Sequence, residues 1–216
     1  MTRIKVCCIA SHEEAALAIG HGAHAIGLVS AMPSGPGPIA EERIAEIAAR
    51  VRPPTRTFLL TSRQSAAAIV EQHRRLRTTT IQIVDHLTDG SYDEIRAWLP
   101  GVELVQVVHV TGPESVDEAQ AVAPHVDAIL LDSGNRRAAV KELGGTGRTH
   151  DWTVSRRIRE SVSVPLYLAG GLKAENVGEA IGAVRPFAVD LCSGVRTDGH
   201  LDDRKLTAFF AAVAEA

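Results

Sequence analysis

Eight short apolar runs recur along the chain, and each is followed by a stretch with the spacing of an amphipathic helix. The runs are RIKVCCIA (3–10), AIGLV (25–29), TRTFLLT (55–61), TTIQIV (79–84), ELVQVVHV (103–110), DAILLD (127–132), VPLYLAG (164–170) and FAVDLCS (187–193). Near-continuous apolarity predicts strands buried on both faces, as in a parallel sheet. An unbroken eightfold strand–helix alternation predicts an α/β fold of one closed (β/α)8 barrel, the TIM barrel, in preference to an open doubly wound sheet. No linker or low-complexity segment interrupts the pattern, so a single barrel domain over residues 1–216 is expected. Several predicted helices follow Ser or Thr, whose side chains can accept the free N–H groups of a first turn.

Composition narrows the function classes. Hydrophobic residues make up 45% of the chain, enough for a substantial core. A net charge of -3 supplies no global attraction to nucleic acid or to an anionic membrane. There is no run of about 18 apolar residues and no signal-peptide core near the start, so neither a membrane span nor export is expected. The chain has three cysteines, two of them adjacent at Cys7 and Cys8. An odd count with neighbouring members fits a reducing, cytoplasmic setting better than a disulfide framework. The spacing also fails as a structural zinc site, and no metal is expected. In a strand, Cys7 and Cys8 would point to opposite faces, so at most one would face a given site.

In this fold, active-site groups lie at the C-terminal ends of the strands and in the loops that follow. Cys7 on strand 1 and Asp132 on strand 6 occupy such places. Read alone, Cys7 also fits inert core packing, and Asp132 a helix cap or loop carboxylate. A phosphate site is expected from the loops after strands 7 and 8, where Gly170 and Gly171 precede a helix and Ser193 and Gly194 follow the strand. Glycine turns let backbone N–H groups approach an anion. Gly145 lies in a third glycine-rich segment, GGTGRTHDW (144–152), that could close over a ligand.

KVCCI (5–9), LLD (130–132), GGTGRTHDW (144–152), LAGGLKAENV (168–177) and RPFAVDLCSGV (185–195) together resemble the phosphoribosylanthranilate isomerase family of tryptophan biosynthesis. The resemblance runs in order along the whole chain and is strongest after residue 127. It implies an aldose–ketose isomerase that performs an Amadori rearrangement on a phosphorylated small molecule without metal or organic cofactor. It further implies Cys7 as general base and Asp132 as general acid, with Lys5, Gln82 and Asp190 as further substrate contacts. An ordinary cysteine titrates near about 8.5, so a cation such as Lys5, two residues back on the same face, would help ionise Cys7. Burial would keep Asp132 protonated long enough to act as an acid. Cys8 is expected to pack outward. No nucleic acid or membrane partner is implied, and the chain is expected as a monomer or homodimer.

Three departures from the family pattern stand out. Cys8 replaces the glycine that usually follows the catalytic cysteine. The loop after strand 2, SAMPSGPGPI, has no Lys or Arg to pair with the anthranilate carboxylate, and Gly37 marks the approximate place where one would align. Val84 stands where strand 4 usually ends in His. Arg63, His86 and His109 are candidate replacements for the missing cation. These changes keep open a sister isomerase acting on another phosphorylated N-glycoside, or a barrel that binds such a ligand without turning it over.

Overall fold

In the structure, a computed structural model that describes residues 1–135, 140–145 and 147–216, eight parallel strands close on themselves into a barrel. The strands are β1 (Arg3–Val6), β2 (Ala25–Val29), β3 (Arg56–Thr61), β4 (Thr80–Ile83), β5 (Glu103–His109), β6 (Ala128–Asp132), β7 (Leu166–Leu168) and β8 (Ala188–Leu191). The helices between and after them are α1 (His12–Gly20), α2 (Glu41–Arg50), α3 (Ala66–Leu76), α4 (Tyr92–Trp98), α5 (Ser115–Val122), α6 (Trp152–Ser161), α7 (Ala174–Val184) and α8 (Asp203–Ala214). The seam pairs β1 with β8, with Lys5 opposite Asp190 and Val6 opposite Leu191. A small antiparallel ribbon, β9 (Arg196–Thr197) with β10 (His200–Leu201), separates β8 from α8. Among the described residues no helix is long and apolar enough to cross a membrane.

Strand alternation divides the core in two. Ile4, Val6, Ile26, Leu28, Leu59, Ile81, Ile129, Leu131, Val189 and Leu191 face outward into a layer shared with Ile44, Ile47, Ile69, Ile158, Val177, Leu206 and Phe209 of the helices. Ala25, Phe58, Leu60, Val105, Val107, Leu130, Tyr167 and Ala188 face inward. Phe58 and Tyr167 meet edge-on with centroids 5.6 Å apart and plug the floor of the barrel. Burying each of the larger aliphatic side chains is worth about 1.5–3 kcal/mol, so the outer layer holds the helices in place. Ser11 and Ser91 cap α1 and α4 as expected, accepting from the N–H groups of Glu14 and Glu94. Ser65 precedes α3 without a side-chain cap, and Asp151 and Asp202 cap α6 and α8 instead.

β1 and β7 fall furthest short of their apolar runs. β1 stops at Val6 because Cys8 adopts φ 62°, a left-handed conformation that costs a residue with a β-carbon about 1–2 kcal/mol. β7 is confined between Pro165, which has no N–H for the ladder, and the turn begun by Gly170 at φ 88°.

Candidate active site

The C-terminal ends of the strands surround a cavity lined by Cys7, Gln82, Asp132 and Asp190 from four strands, with glycine loops around the rim. Cys7 follows β1 directly, and its N–H extends the seam ladder by donating to Leu191 O at 2.8 Å. Its Sγ lies against Gly27 of β2, where an added Cβ would stand 2.7 Å from the sulfur. Gly27 is therefore a glycine for close approach, not for backbone freedom. Cys8 also lines the cavity, which corrects the expectation that it packs outward. Its left-handed turn defeats simple strand alternation.

Asp132 closes β6 and is almost fully buried. Its Oδ1 accepts from the Ser133 N–H at 2.7 Å. The loop after β6 folds back so far that Gly144, at φ 125°, leaves no room for a Cβ beside Asp132 Oδ2. Burial pushes the Asp132 carboxyl up to about 6; Asp190 adds to the rise, while the Ser133 hydrogen bond and Lys5 oppose it.

Beneath these two groups Lys5 Nζ donates to Asp190 Oδ2 at 2.8 Å. Lys5 is fully buried, and its ammonium stands 5.1 Å from the Phe58 ring. Burial works against that charge, but Asp190 and then Cys7 hold the ammonium protonated well above the ordinary lysine range. Lys5 is not among the lining residues, so the structure places it under Asp190 and not at the cavity surface. Asp190 Oδ1 and Gln82 Oε1 are buried without partners among the described residues. Both residues line the cavity, so each offers an acceptor to a ligand hydroxyl.

The rim after β7 and β8 is glycine-rich as expected. Gly170, Gly171, Gly145 and Ser193 line the cavity together with Gly147. Gly145 and Gly171 have φ 66° and 61°, and a Cβ at Gly171 would come 2.7 Å from the Arg148 backbone. Gly194 does not line it. Instead it lets the three-residue 3-10 turn Ser193–Val195 press against the Leu172 carbonyl. His150 sits under Gly170, where a Cβ would be 3.0 Å from its Nδ1. Its Nε2 hydrogen-bonds Ser155 Oγ at 2.8 Å, and burial holds the imidazole down at about 4 and neutral.

Val29, Met32, Leu60, Val84 and Leu143 form an apolar wall on the β2–β4 side, with Ser34, Gly35 and Pro36 above. Among the described residues no Lys, Arg or His lines the cavity. Arg63 reaches Glu41 at 3.5 Å, and His109 Nε2 meets Val84 O at 3.0 Å. His86 is likewise absent from the lining. Nor is any group of three or more His, Cys, Asp or Glu among the described residues arranged to hold a metal ion.

Sequence reasoning missed Arg196. Its guanidinium donates to Cys8 O at 2.5 Å and Cys7 O at 3.4 Å, and pairs with Glu14 at 2.8 Å. Glu14 in turn accepts from the N–H groups of Ala10 and Leu201. The pair fastens the loop carrying Cys7 to the segment after β8. Only the odd basic residue after SGV hinted at it, and its partner is 182 positions away.

A buried acid and a cysteine on one cavity at the mouth of a (β/α)8 barrel, with glycine loops around the rim, place the chain among the barrel enzymes. Within that class, residues 4–212 match the profile of the N-(5'phosphoribosyl)anthranilate (PRA) isomerase family, and the chain belongs to that family. A Methanocella arvoryzae protein named N-(5'-phosphoribosyl)anthranilate isomerase is 35% identical over 97% of this chain and 96% of its own. A Haloferax volcanii protein of the same name is 36% identical over 100% and 94%. The solved structure of phosphoribosyl anthranilate isomerase from Thermotoga maritima superposes with TM-score 0.83 at 26% identity, covering 100% of both chains. Another solved structure of such an isomerase, in complex with reduced 1-(o-carboxyphenylamino)-1-deoxyribulose 5-phosphate, gives 0.80 at 25% identity and the same coverage.

Proposed function

We propose that this chain catalyses the Amadori rearrangement of N-(5'-phosphoribosyl)anthranilate to 1-(o-carboxyphenylamino)-1-deoxyribulose 5-phosphate, with Asp132 as general acid and Cys7 as general base. Asp132 donates its proton to the furanose ring oxygen, and the C1–O bond breaks to leave an iminium at C1. Cys7, as thiolate, removes the C2 proton, and that C–H electron pair forms the enolamine. Tautomerisation to the ketone completes an internal redox exchange in which C1 is reduced and C2 oxidised. The reaction is therefore that of an intramolecular oxidoreductase.

The observation that carries this reading is the placement of Cys7 and Asp132 on one cavity, with the acid raised to about 6 by burial. An acid poised near neutrality can both hold and release its proton at working pH. The buried Lys5 charge stabilises negative charge beneath the site without contacting substrate. Asp190 Oδ1 and Gln82 Oε1 would accept from the sugar hydroxyls. The phosphate would sit on N–H groups of Gly171, Ser193 and Gly145. The enzyme would work in the reducing cytoplasm, as a monomer or homodimer.

The test is complementation of a tryptophan auxotroph lacking this isomerase, together with the fluorescence assay of anthranilate-linked substrate. Wild type should restore growth, whereas Cys7→Ala and Asp132→Ala should fail to do so while still binding a reduced product analogue. Growth restored by Cys7→Ala would refute the base assignment.

A further inference from the structure

Cys8 takes no part in the proton transfers above, yet it holds a left-handed conformation at φ 62° in the wall of the cavity. The seam ladder explains what lies beside it. Val6 pairs with Leu191, so the next positions along the two chains are Cys7 and Cys192. Alternation sends both inward, on the side of Lys5 and Asp190. The turn at Cys8 then brings its side chain back to the same place. All three cysteines of the chain therefore line one cavity, and all three are free. Cys8 Sγ also lies 3.7 Å from Pro36 O, and Gly37 leaves it room, since a Cβ there would stand 2.9 Å from the sulfur. The Arg196 guanidinium lies beside the trio, with its Nε buried and without a partner among the described residues.

We propose that Cys8 and Cys192 form an oxidative modification site, a dithiol that a peroxide converts to a disulfide bridging the loops after β1 and β8. The chemistry balances with hydrogen peroxide as the oxidant. The Cys192 thiolate attacks one peroxide oxygen; the O–O bond breaks, and hydroxide leaves and is protonated to water. Cys192 is now a sulfenic acid. The Cys8 sulfur attacks the Cys192 sulfur, the S–O bond breaks, and the Cys8 proton leaves with the oxygen as a second water. Two thiols are oxidised and one peroxide is reduced to two waters.

The surroundings suit these unequal roles. The Cys8 thiol, and after it the Arg196 guanidinium against the cost of burial, hold Cys192 below the ordinary thiol range. The neighbouring Cys192 and Cys7 thiols and burial push Cys8 up, so it stays a thiol and leaves the first attack to Cys192; when Cys8 attacks in turn, its proton passes to the departing oxygen. The thiolate is the nucleophile in such exchange, which makes Cys192 the attacking group and Cys8 the resolving one. The disulfide would join the residue after Cys7 to the residue before Ser193. On the proposed function, it would distort the base and the phosphate cradle together.

The experiment treats the whole protein with excess hydrogen peroxide, blocks remaining thiols in denaturant, and maps tryptic peptides by mass. The expected product links the peptide 6–43 to the peptide 174–196, and fragmentation assigns the bond to Cys8. Cys7→Ala should still form it. Cys8→Gly, which suits the positive φ, and Cys192→Ser should not. Isomerase activity should fall at least about tenfold in wild type and return with dithiothreitol, whereas Cys8→Gly should show no recovery specific to the reductant. Cys192 over-oxidised with no cross-link, a bond through Cys7, or a disulfide that leaves activity intact would each overturn the proposal. The cross-link is read without turnover, so an untreated protein devoid of isomerase activity would defeat the proposed function and still leave this site to be judged.

Discussion

Lys5 and Asp190 meet across the seam that closes the barrel, Nζ to Oδ2 at 2.8 Å, with Lys5 wholly removed from solvent. Their Cα atoms are ladder partners, so the same register that joins β1 to β8 sets an ion pair under the catalytic mouth. Truncating one partner of such a pair strands the other charge in the core, at a cost of about 3–5 kcal/mol. Asp190→Leu should lower the unfolding free energy in urea by that amount. Lys5→Met combined with Asp190→Leu should recover most of it and remain inactive, because the free Asp190 oxygen is gone. A single variant as stable as wild type would mean that the Lys5 charge is not buried as described.

Gly27 tests how closely the base is held. An added Cβ would stand 2.7 Å from Cys7 Sγ and 3.2 Å from Cys7 Cα, and Cys7, just past the end of β1, is held by its N–H bond to Leu191 O. Gly27→Ala should destabilise by about 1–3 kcal/mol, as overpacking does. It should also reduce kcat more than tenfold by displacing the sulfur, with KM changed far less. Unaltered kcat in the purified variant would show that the sulfur position is not critical.

Asp132 should make stability depend on pH. Its native carboxyl titrates near about 6 against an ordinary value of 3.8, so the native state binds more protons than the unfolded chain between those values. Its favourable contribution is then fully present below about pH 4 and is lost as pH rises through about 6. Asp132→Asn, which keeps the acceptor for the Ser133 N–H, should be more stable than wild type at pH 8 by up to about 3 kcal/mol. That advantage should disappear near pH 4. A difference that stays constant from pH 4 to 8 would place the carboxyl at its ordinary value.

The barrel was legible because its strands are apolar on both faces, and that signal survives in each of the eight runs. Their ends were less legible. The CCIA segment continues the apolar pattern of β1, but the chain turns left-handed at Cys8, a tertiary demand that no periodicity records. For the same reason the expected outward orientation of Cys8 was incorrect. That Cys7, Asp132 and the glycine rim meet at one cavity could be read because the fold dictates which strand ends matter, whereas the roles proposed for the two side chains came from the family resemblance. Lys5 was legible as a cation near Cys7, but its burial beneath Asp190 depends on barrel closure. The pairing of Arg196 with Glu14 was not legible, since only closure brings such distant positions together. Arg63, His86 and His109 were plausible by strand position alone, but the structure leaves all three outside the lining.

The apolar wall supplies the last test. Among the described residues, nothing positive lines the side formed by Met32, Leu60, Val84 and Leu143, where the anthranilate ring would rest. Gly37 was the aligned place for a cation, but it sits at φ 84° and a Cβ there would be 2.6 Å from the Cys8 Cβ. Ser34 is the better position, because it lines the cavity and its hydroxyl makes, among the described residues, a single hydrogen bond, to Lys141 O at 2.5 Å. A charge-assisted contact adds about 1.5–3 kcal/mol, or roughly 10- to 150-fold in binding. Ser34→Arg should therefore raise kcat/KM on phosphoribosylanthranilate, chiefly through KM, because the carboxylate is held equally before and during reaction. Gly37→Arg should instead lower kcat by crowding the cysteine loop. Steady-state kinetics of the two variants side by side decides the matter: equal or lower kcat/KM for Ser34→Arg would mean that the carboxylate already has its cation in wild type or lies away from Ser34.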